Sequence, residues 1–221
     1  MFRLVTIERE YGCGGAPIAA ELADHLHWKL WDHLLTEEIA RIANVDCSAV
    51  MSCDERVDGT LRRLAKAFWR GSYERGSALG HHVFDTDRMM SLMQDIMDSI
   101  GREGNAVVVG RGAPYFLREN PCAFHVFLYA PRAEKVRRLM GEGHTEEEAE
   151  DLVESVDNER RAYVKHYFNA DWPTRSLYHL MVNTAVGNEA VIQTILQTMR
   201  TVAGGPKATD YEPPKVAAIT R

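Results

Sequence analysis

Residues 9–17 place an arginine, three glycines and a proline in a short segment that could surround a phosphate group. The apolar run Leu4–Ile7 precedes this segment, and Pro17 is suited to the first position of a helix that begins there. A glycine-rich turn lets backbone N–H groups approach an anion closely, and a helix N-terminus favours negative charge. The segment therefore predicts a phosphate-binding turn, although a plain strand-to-helix turn would also explain the glycines.

The segment departs from the common phosphate-binding pattern G-x-x-x-x-G-K-[ST] at the positions that carry the charge and the hydroxyl. In an ungapped alignment, Arg9 takes the first glycine, Gly14 the second, Gly15 the lysine and Ala16 the hydroxyl position. The lysine of the pattern neutralises the phosphates. A phosphate site here therefore needs its positive charge from another part of the chain.

Arginines follow two predicted strands, where they could supply that charge. Arg111 lies between two glycines directly after the apolar run Val107–Val109, at the edge where open parallel sheets bind ligands. Its guanidinium could grip a phosphate with paired hydrogen bonds, or it could pair with a surface carboxylate. Arg137 and Arg138 follow the next run, Val126–Tyr129, and either one alone could be a solvated helix charge.

A further arginine lies on the apolar face of a predicted helix. Thr145-x-x-Glu148 is a capping-box pattern, and the helix that it opens continues to about Phe168. Arg160 falls on the apolar stripe of this helix. An unpaired buried charge is costly, so Arg160 needs an anionic partner. That partner could be a nearby carboxylate such as Asp157, or a phosphate.

The composition limits the classes of partner. The 221 residues carry a formal net charge of −6, with 45% hydrophobic and 26% charged residues. Nucleic-acid binding needs a basic surface, so we expect no nucleic-acid partner. No apolar run approaches the length of a membrane span and no signal-peptide core follows Met1–Arg3, so we expect no membrane partner and a cytoplasmic location. The four cysteines lack C-x-x-C spacing, and we expect reduced thiols and no metal site.

Short apolar runs alternate with helical patterns, which is typical of an α/β protein with a parallel sheet. Four runs are clear, and Trp28–Trp31 could add a fifth strand. The four are Leu4–Ile7, Val107–Val109, Val126–Tyr129 and Leu180–Val182. We expect a single domain over 1–203, with a helical insert at about 36–104. A flexible tail is expected over 204–221, where prolines occur without an apolar period.

Several segments, taken in order, resemble the cytidylate kinase-like family, which is itself similar to the nucleoside monophosphate kinases of the P-loop superfamily. They span roughly residues 3–200. The segments are REYGCGG, LWDHLLTEEIA, VVVGRGA, FLYAPRAEKVRRL, Asp157-x-x-Arg160 with Tyr163, Asp171 and Trp172, and LMVNT. The resemblance implies a three-layer, P-loop NTPase-like fold with a five-stranded parallel sheet, a helical acceptor-binding region and a lid at about 132–170.

The resemblance also assigns roles to the candidate residues. The phosphates of a donor nucleotide would lie against Gly12, Cys13, Gly14, Gly15, Ala16 and Pro17. The acceptor would bind at Asp32, Arg111, Asp157 and Asp171, with Asp157 contacting the acceptor or orienting the lid arginines. The charge of the transferring phosphoryl group would be compensated by Arg9, Arg137, Arg138, Arg160 and Arg161, together with Mg²⁺.

Two functions follow from this resemblance. The first is an ATP-dependent kinase for a nucleoside monophosphate or similar small phosphoacceptor, with Arg9 or a lid arginine replacing the loop lysine. The alternative is a catalytically impaired protein that binds a nucleotide or senses a phosphometabolite, because Gly15 and Ala16 lack the usual functional groups. Gly112 also stands where cytidylate kinases carry an acidic residue. A structural, partner-binding α/β protein is a third reading, and the sequence leaves the acceptor and the oligomeric state open.

Overall fold

The computed structural model describes residues 1–32, 34–35, 38 and 86–204. The strands are β1 (Leu4–Arg9), β2 (Lys29–Trp31), β3 (Ala106–Val109), β4 (Ala123–Tyr129) and β5 (Leu180–Asn183). The described ranges contain the helices α1 (Gly15–Leu26), α2 (Thr86–Glu103), α3 (Ala113–Phe116), α4 (Arg132–Gly141), α5 (Glu146–Phe168) and α6 (Asn188–Gly204). Short 3-10 turns occupy Arg175–Leu177 and Thr184–Val186. Residues 39–85 of the helical insert predicted at about 36–104, and residues 205–221 of the predicted tail, lie outside the described residues.

All five strands pair in parallel in the order β2-β3-β1-β4-β5, which confirms the predicted α/β fold with its five-stranded sheet. The chain returns to both sides of β1, so the strand order reverses beside this central strand. Every residue of β1 is buried because helices cover both faces of the sheet. Ligands of open parallel sheets bind at such a reversal, outside the carboxyl ends of the strands. We therefore expect a ligand-binding site at the end of β1, beside Arg9.

Alternate residues of β1 pack into two different apolar cores. Val5 and Ile7 pack with residues of α1 and α6, whereas Leu4 packs on the opposite face with residues of α2. A third, smaller apolar cluster lies between α4 and α5 and includes the ring of Tyr11. This third cluster attaches the α4–α5 hairpin, for which the family resemblance implied a lid, to the segment that follows β1.

Two helix starts show how local sequence sets the geometry of the site. The capping box that opens α5 is confirmed, since Glu148 N–H donates to Thr145 Oγ1 at 3.2 Å and Thr145 N–H donates to Glu148 Oε2 at 2.9 Å. The expected start of α1 at Pro17 is wrong by two residues. The helix begins at Gly15 because Gly14 caps it in the left-handed conformation, with φ 75°. Within the described ranges, no helix is both long and apolar enough to traverse a bilayer.

Candidate functional site

The loop between β1 and α1 is held close to α4 by its glycines. Gly12 and Gly14 both have positive φ, at 70° and 75°, which glycine adopts at little cost. A Cβ at Gly12 would lie 3.2 Å from Lys135 Cβ, and one at Gly14 would lie 2.8 Å from Arg138 Nη1. Both the backbone conformation and the lack of space therefore require glycine, and the loop packs directly against α4.

The side chain of Arg9 crosses the beginning of α1. A Cβ at Gly15 would lie 3.1 Å from Arg9 Cδ and 3.4 Å from Arg9 Cγ, and a Cβ at Gly110 would overlap Arg9 Nη1. Arg9 itself is buried, with 7% of its surface exposed. Its guanidinium therefore lies between the glycine loop and the turn after β3. The arginine at position 9 favours a glycine at position 15, because the Arg9 side chain occupies the space that a side chain at position 15 would need.

Arg160 reaches the same edge from α5. It is 8% exposed, and its Nη1 donates to the carbonyl of Arg9 at 2.7 Å and to Asp157 Oδ1 at 3.4 Å. The pKa of Arg160 is lowered, first by burial and then by the positive charge of Arg9, while Asp157 opposes this shift. Of the two kinds of partner expected for Arg160, a carboxylate or a phosphate, the structure thus shows the carboxylate, which is that of Asp157. The same contact fixes the backbone at the end of β1.

Asp157 ties the loop to both helices of the hairpin. Its Oδ1 accepts the N–H of Tyr11 at 2.8 Å, and its Oδ2 accepts Lys135 Nζ at 3.3 Å. Lys135 also donates to Glu10 Oε2 at 3.0 Å. Burial raises the pKa of Asp157, and the charge of Arg160 opposes the rise. The carboxylate of Asp157 thus accepts hydrogen bonds from the backbone at Tyr11 and from two cations, Lys135 and Arg160.

Lys135 is a residue that the sequence reasoning missed. It is only 7% exposed and lies on the inward face of α4 with Leu139, one helical turn later. That spacing was the available signal, since a lysine on an apolar stripe needs a buried partner just as Arg160 does. Glu8 was also missed: it lies on β1, is 4% exposed, and burial raises its pKa while the charge of Arg160 opposes the rise.

Arg111 reaches the edge from the turn after β3. It adopts a positive φ of 56°, is 7% exposed, and donates from Nη1 to the carbonyl of Asp32 at 2.9 Å. Burial lowers the pKa of Arg111 to about 10; Asp32 opposes this shift and Arg9 adds to it. Arg9 thus interacts electrostatically with both Arg111 and Arg160. The structure brings together three buried guanidinium groups from β1, the β3 turn and α5.

Aromatic rings border Arg111 on one side. Gly112 has φ 70°, and a Cβ there would lie 2.8 Å from the ring of Phe168 and 3.4 Å from Tyr163. Phe168 stacks on Tyr115 with the ring centroids 4.8 Å apart. These contacts leave no space for an acidic side chain at position 112. The glycine at the position where cytidylate kinases carry an acidic residue therefore has a steric cause.

Other predicted site residues lie on the surface. The carboxylate of Asp171 is 94% exposed and lies 3.8 Å from Lys165 Nζ. Arg137 is 70% exposed and pairs with Glu134, with Nη2 donating to Oε1 at 2.7 Å. Arg161 bonds to Asn158 one turn earlier on the exposed face of α5. The structure does not bring these three residues to the cluster around Arg9.

Arg138 takes an intermediate position, half-buried behind the glycine loop. Its Nη1 donates to the carbonyl of Cys13 and to Thr184 Oγ1, the latter at 3.0 Å, and its Nη2 donates to the carbonyl of Thr184 at 3.1 Å. Thr184 Oγ1 also donates to the Cys13 carbonyl at 2.6 Å. Burial raises the pKa of the Cys13 thiol to about 11, so the thiol is protonated at neutral pH. Arg138 thus braces the loop against the end of β5.

A pocket of about 150 Å³ opens over this loop. Its lining comprises residues 9–17 with Leu139, Glu142 and Arg160. All six predicted donor-phosphate residues therefore border one concave site, together with two of the buried guanidinium groups. The glycine turn and these charges are suited to a phosphate group. Within the described ranges, no group of three His, Cys, Asp or Glu side chains could hold a metal ion. Gly15 and Ala16 also offer no side-chain oxygen, which is the kind of ligand that Mg²⁺ takes.

Comparison with solved structures supports the fold assignment. An uncharacterised protein from Eubacterium ventriosum is 18% identical, with a TM-score of 0.65 over 91% of this chain and 99% of that one. Shikimate kinase from Acinetobacter baumannii, in complex with shikimate, is 14% identical with a TM-score of 0.52, covering 90% of this chain and 94% of that one. A gluconokinase from Sinorhizobium meliloti is 11% identical with a TM-score of 0.50, covering 89% and 90%. The chain has the fold of the P-loop kinases.

No curated protein matches the sequence significantly. A family model does match, over residues 4–186, and this range includes the glycine loop, the β3 turn and the α4–α5 hairpin. The match covers most of the chain and agrees with the resemblance inferred from the ordered motifs. Family and fold together support a nucleotide-binding, kinase-like protein. The chain belongs to the cytidylate kinase-like family.

Proposed function

We propose that the pocket over residues 9–17 binds the phosphates of a nucleotide, with Arg9 in place of the missing loop lysine. One observation carries this proposal: the Arg9 side chain lies against Gly15, the position of that lysine, and extends toward Gly110. A guanidinium there offers planar, charge-assisted hydrogen bonds to phosphate oxygens. Arg160 lines the same pocket and supplies a second positive charge.

The reaction that this arrangement supports best is phosphoryl transfer from ATP. An acceptor oxygen would form a bond to the γ-phosphorus, and the bond from that phosphorus to the bridging oxygen of ADP would break. Such a transfer needs in-line positioning and compensation of negative charge more than covalent chemistry. Arg9 lies between the glycine loop and the Arg111 turn, which supports a position between a donor phosphate and an acceptor that would bind at Arg111 and Asp32. We assign this activity to the cytoplasm, and the acceptor to small phosphorylated molecules such as nucleoside monophosphates.

An exchange of residues tests the role of Arg9. Gly15→Lys alone should weaken ADP binding and stability, because the lysine Cβ would lie 3.1 Å from Arg9 Cδ. Arg9→Gly alone should weaken binding because a guanidinium is lost. The double variant Arg9→Gly/Gly15→Lys should recover binding beyond either single variant, as measured by titration calorimetry. Wild-type affinity in Gly15→Lys alone would contradict the proposal.

A second candidate, a nucleotide or phosphometabolite sensor without transfer activity, is favoured by Ala16, which provides no hydroxyl beside the phosphates. A coupled assay with ATP and a panel of nucleoside monophosphates, beginning with CMP, separates the two. A kinase forms a diphosphate, and Arg111→Ala abolishes that product. Arg118→Ala is the matched control, since Arg118 is 60% exposed and pairs with Glu119. Binding without product would favour the sensor, and absence of binding would contradict both.

A further inference from the structure

The part of the loop that contacts the phosphates in a typical metal-dependent site offers no oxygen ligand here. Positions 15 and 16 are glycine and alanine, and Pro17 follows. Mg²⁺ takes oxygen ligands and is usually held by one or two carboxylates together with phosphate oxygens and water. A metal ligand would therefore have to come from the carboxylates around the pocket.

The buried carboxylates around this edge already face cations of the protein. The pairs are Asp157 with Lys135, Glu8 with Arg160, and Asp32 with Arg111. Glu10, at the pocket wall, accepts a hydrogen bond from Lys135 Nζ at 3.0 Å. Glu142 is an exposed carboxylate at the end of α4. A divalent ion bound by the buried groups would have to displace a buried ammonium or guanidinium group, which leaves an uncompensated charge.

Positive charge, in contrast, is concentrated where phosphates would lie. Arg9 and Arg160 line the pocket, and the positive charge of Arg9 also contributes to the lowered pKa of Arg111 at the neighbouring turn. Within the described residues, the two hydrogen bonds from Arg160 to protein atoms both use Nη1. Guanidinium groups carry five N–H donors each, so Arg160 can bond the backbone and a ligand together.

We propose that this pocket binds phosphates as a metal-free anion, with Arg9, Arg160 and the loop N–H groups providing the charge compensation that Mg²⁺ supplies elsewhere. This inference rests on the proposed function, because it concerns the same pocket. Since Mg²⁺ cancels part of the negative charge of a nucleoside diphosphate, the arginines attract the Mg²⁺ complex less strongly than the free anion. Ligand binding is therefore weakened, not strengthened, by the metal.

The test measures the affinity of the full chain for ADP by titration calorimetry in excess EDTA and in excess Mg²⁺, with KCl matching the ionic strength. We expect a Kd in EDTA about threefold lower than in Mg²⁺. Arg9→Gln should raise the Kd in EDTA by about tenfold, since a charge-assisted contact is lost, whereas Arg118→Gln should leave it unchanged. Circular dichroism establishes that each variant is folded.

The outcomes separate the inference from the function on which it rests. A Kd that is higher in EDTA than in Mg²⁺ overturns the inference and leaves nucleotide binding intact. An Arg9→Gln variant that is folded and binds ADP in EDTA as tightly as the wild type also overturns it. Absence of ADP binding in both conditions contradicts the proposed function, and the inference fails with it.

Discussion

Two pairs of consecutive arginines on neighbouring helices divide in the same way between the interior and the surface. On α5, Arg160 is buried and donates to the carbonyl of Arg9, while Arg161 is exposed and bonds to Asn158. On α4, Arg138 donates to the carbonyl of Cys13, while Arg137 is exposed and pairs with Glu134. Consecutive helical residues point about 100° apart, so one member of each pair must leave the interior.

In the part of the chain that the structure describes, only the inward arginine of each pair contacts the glycine loop or the strand end beside it. All four arginines bond to a residue of their own helix, but the two inward members also donate to backbone carbonyls next to or within the loop. The α4–α5 hairpin is therefore fastened to the loop through its inward arginines and Lys135. The family resemblance implied one shared role for all four arginines, and that assignment does not reflect this division.

The largest effect should come from the α5 pair. Arg160→Ala removes a buried cation from Asp157 and from the Arg9 carbonyl, so we expect the free energy of unfolding to fall by about 3 kcal/mol. Arg161→Ala should leave it unchanged within error because its side chain is exposed. Urea denaturation of the two variants measures the difference. Equal destabilisation by both would contradict the assigned division.

Arg138 and Arg137 on α4 should show the same contrast, with a smaller loss in the free energy of unfolding. Arg138→Ala removes hydrogen bonds to Cys13 and Thr184, and we expect a loss of about 2 kcal/mol, since these bonds are charge-assisted. Arg137 makes an exposed ion pair, and such pairs contribute little. Its alanine variant is the control in the same denaturation series. A stability loss in Arg137→Ala as large as in Arg138→Ala would count against the bracing role of Arg138.

The pKa values of two carboxyl groups on these helices, Glu134 on α4 and Asp157 on α5, should be shifted in opposite directions. Hydrogen bonds from Arg137 lower the pKa of Glu134 to about 2, whereas burial raises the pKa of Asp157 above its ordinary 3.8. Between 3.8 and the raised pKa, the folded state binds more protons than the unfolded state. The contribution of Asp157 to the free energy of unfolding therefore falls as pH rises through that window. Carboxyl ¹³C chemical shifts across an acid titration measure both values, and a lower pKa for Asp157 than for Glu134 would reverse the expected order.

Much of the fold was predictable, because it depends on local patterns. Apolar runs predicted four of the strands and offered Trp28–Trp31 as a possible fifth, and the Thr145–Glu148 capping box predicted the start of α5 to within one residue. The apolar stripe also placed Arg160 inward. These features follow from periodicity and capping, which act over a few residues.

The site was less predictable because its contacts join distant segments. Nothing near Arg9 in the sequence shows that its side chain lies against both Gly15 and Gly110, since the second contact needs β1 and β3 to be neighbours. Asp171 was assigned to the acceptor through the family resemblance, but its carboxylate is exposed to solvent. Lys135 was hidden among surface charges of α4 until its partners Glu10 and Asp157 were located.

A crystal structure with a bisubstrate nucleotide analogue would locate the bound phosphates relative to these arginines. The proposed phosphate site predicts phosphate oxygens within hydrogen-bond distance of Arg9, Arg160 and the N–H groups of residues 12–16, with Arg111 at the acceptor end. Arg137 and Arg161 should keep their contacts with Glu134 and Asn158. Phosphates bound to Arg137 or Arg161, or located away from the glycine loop, would contradict it.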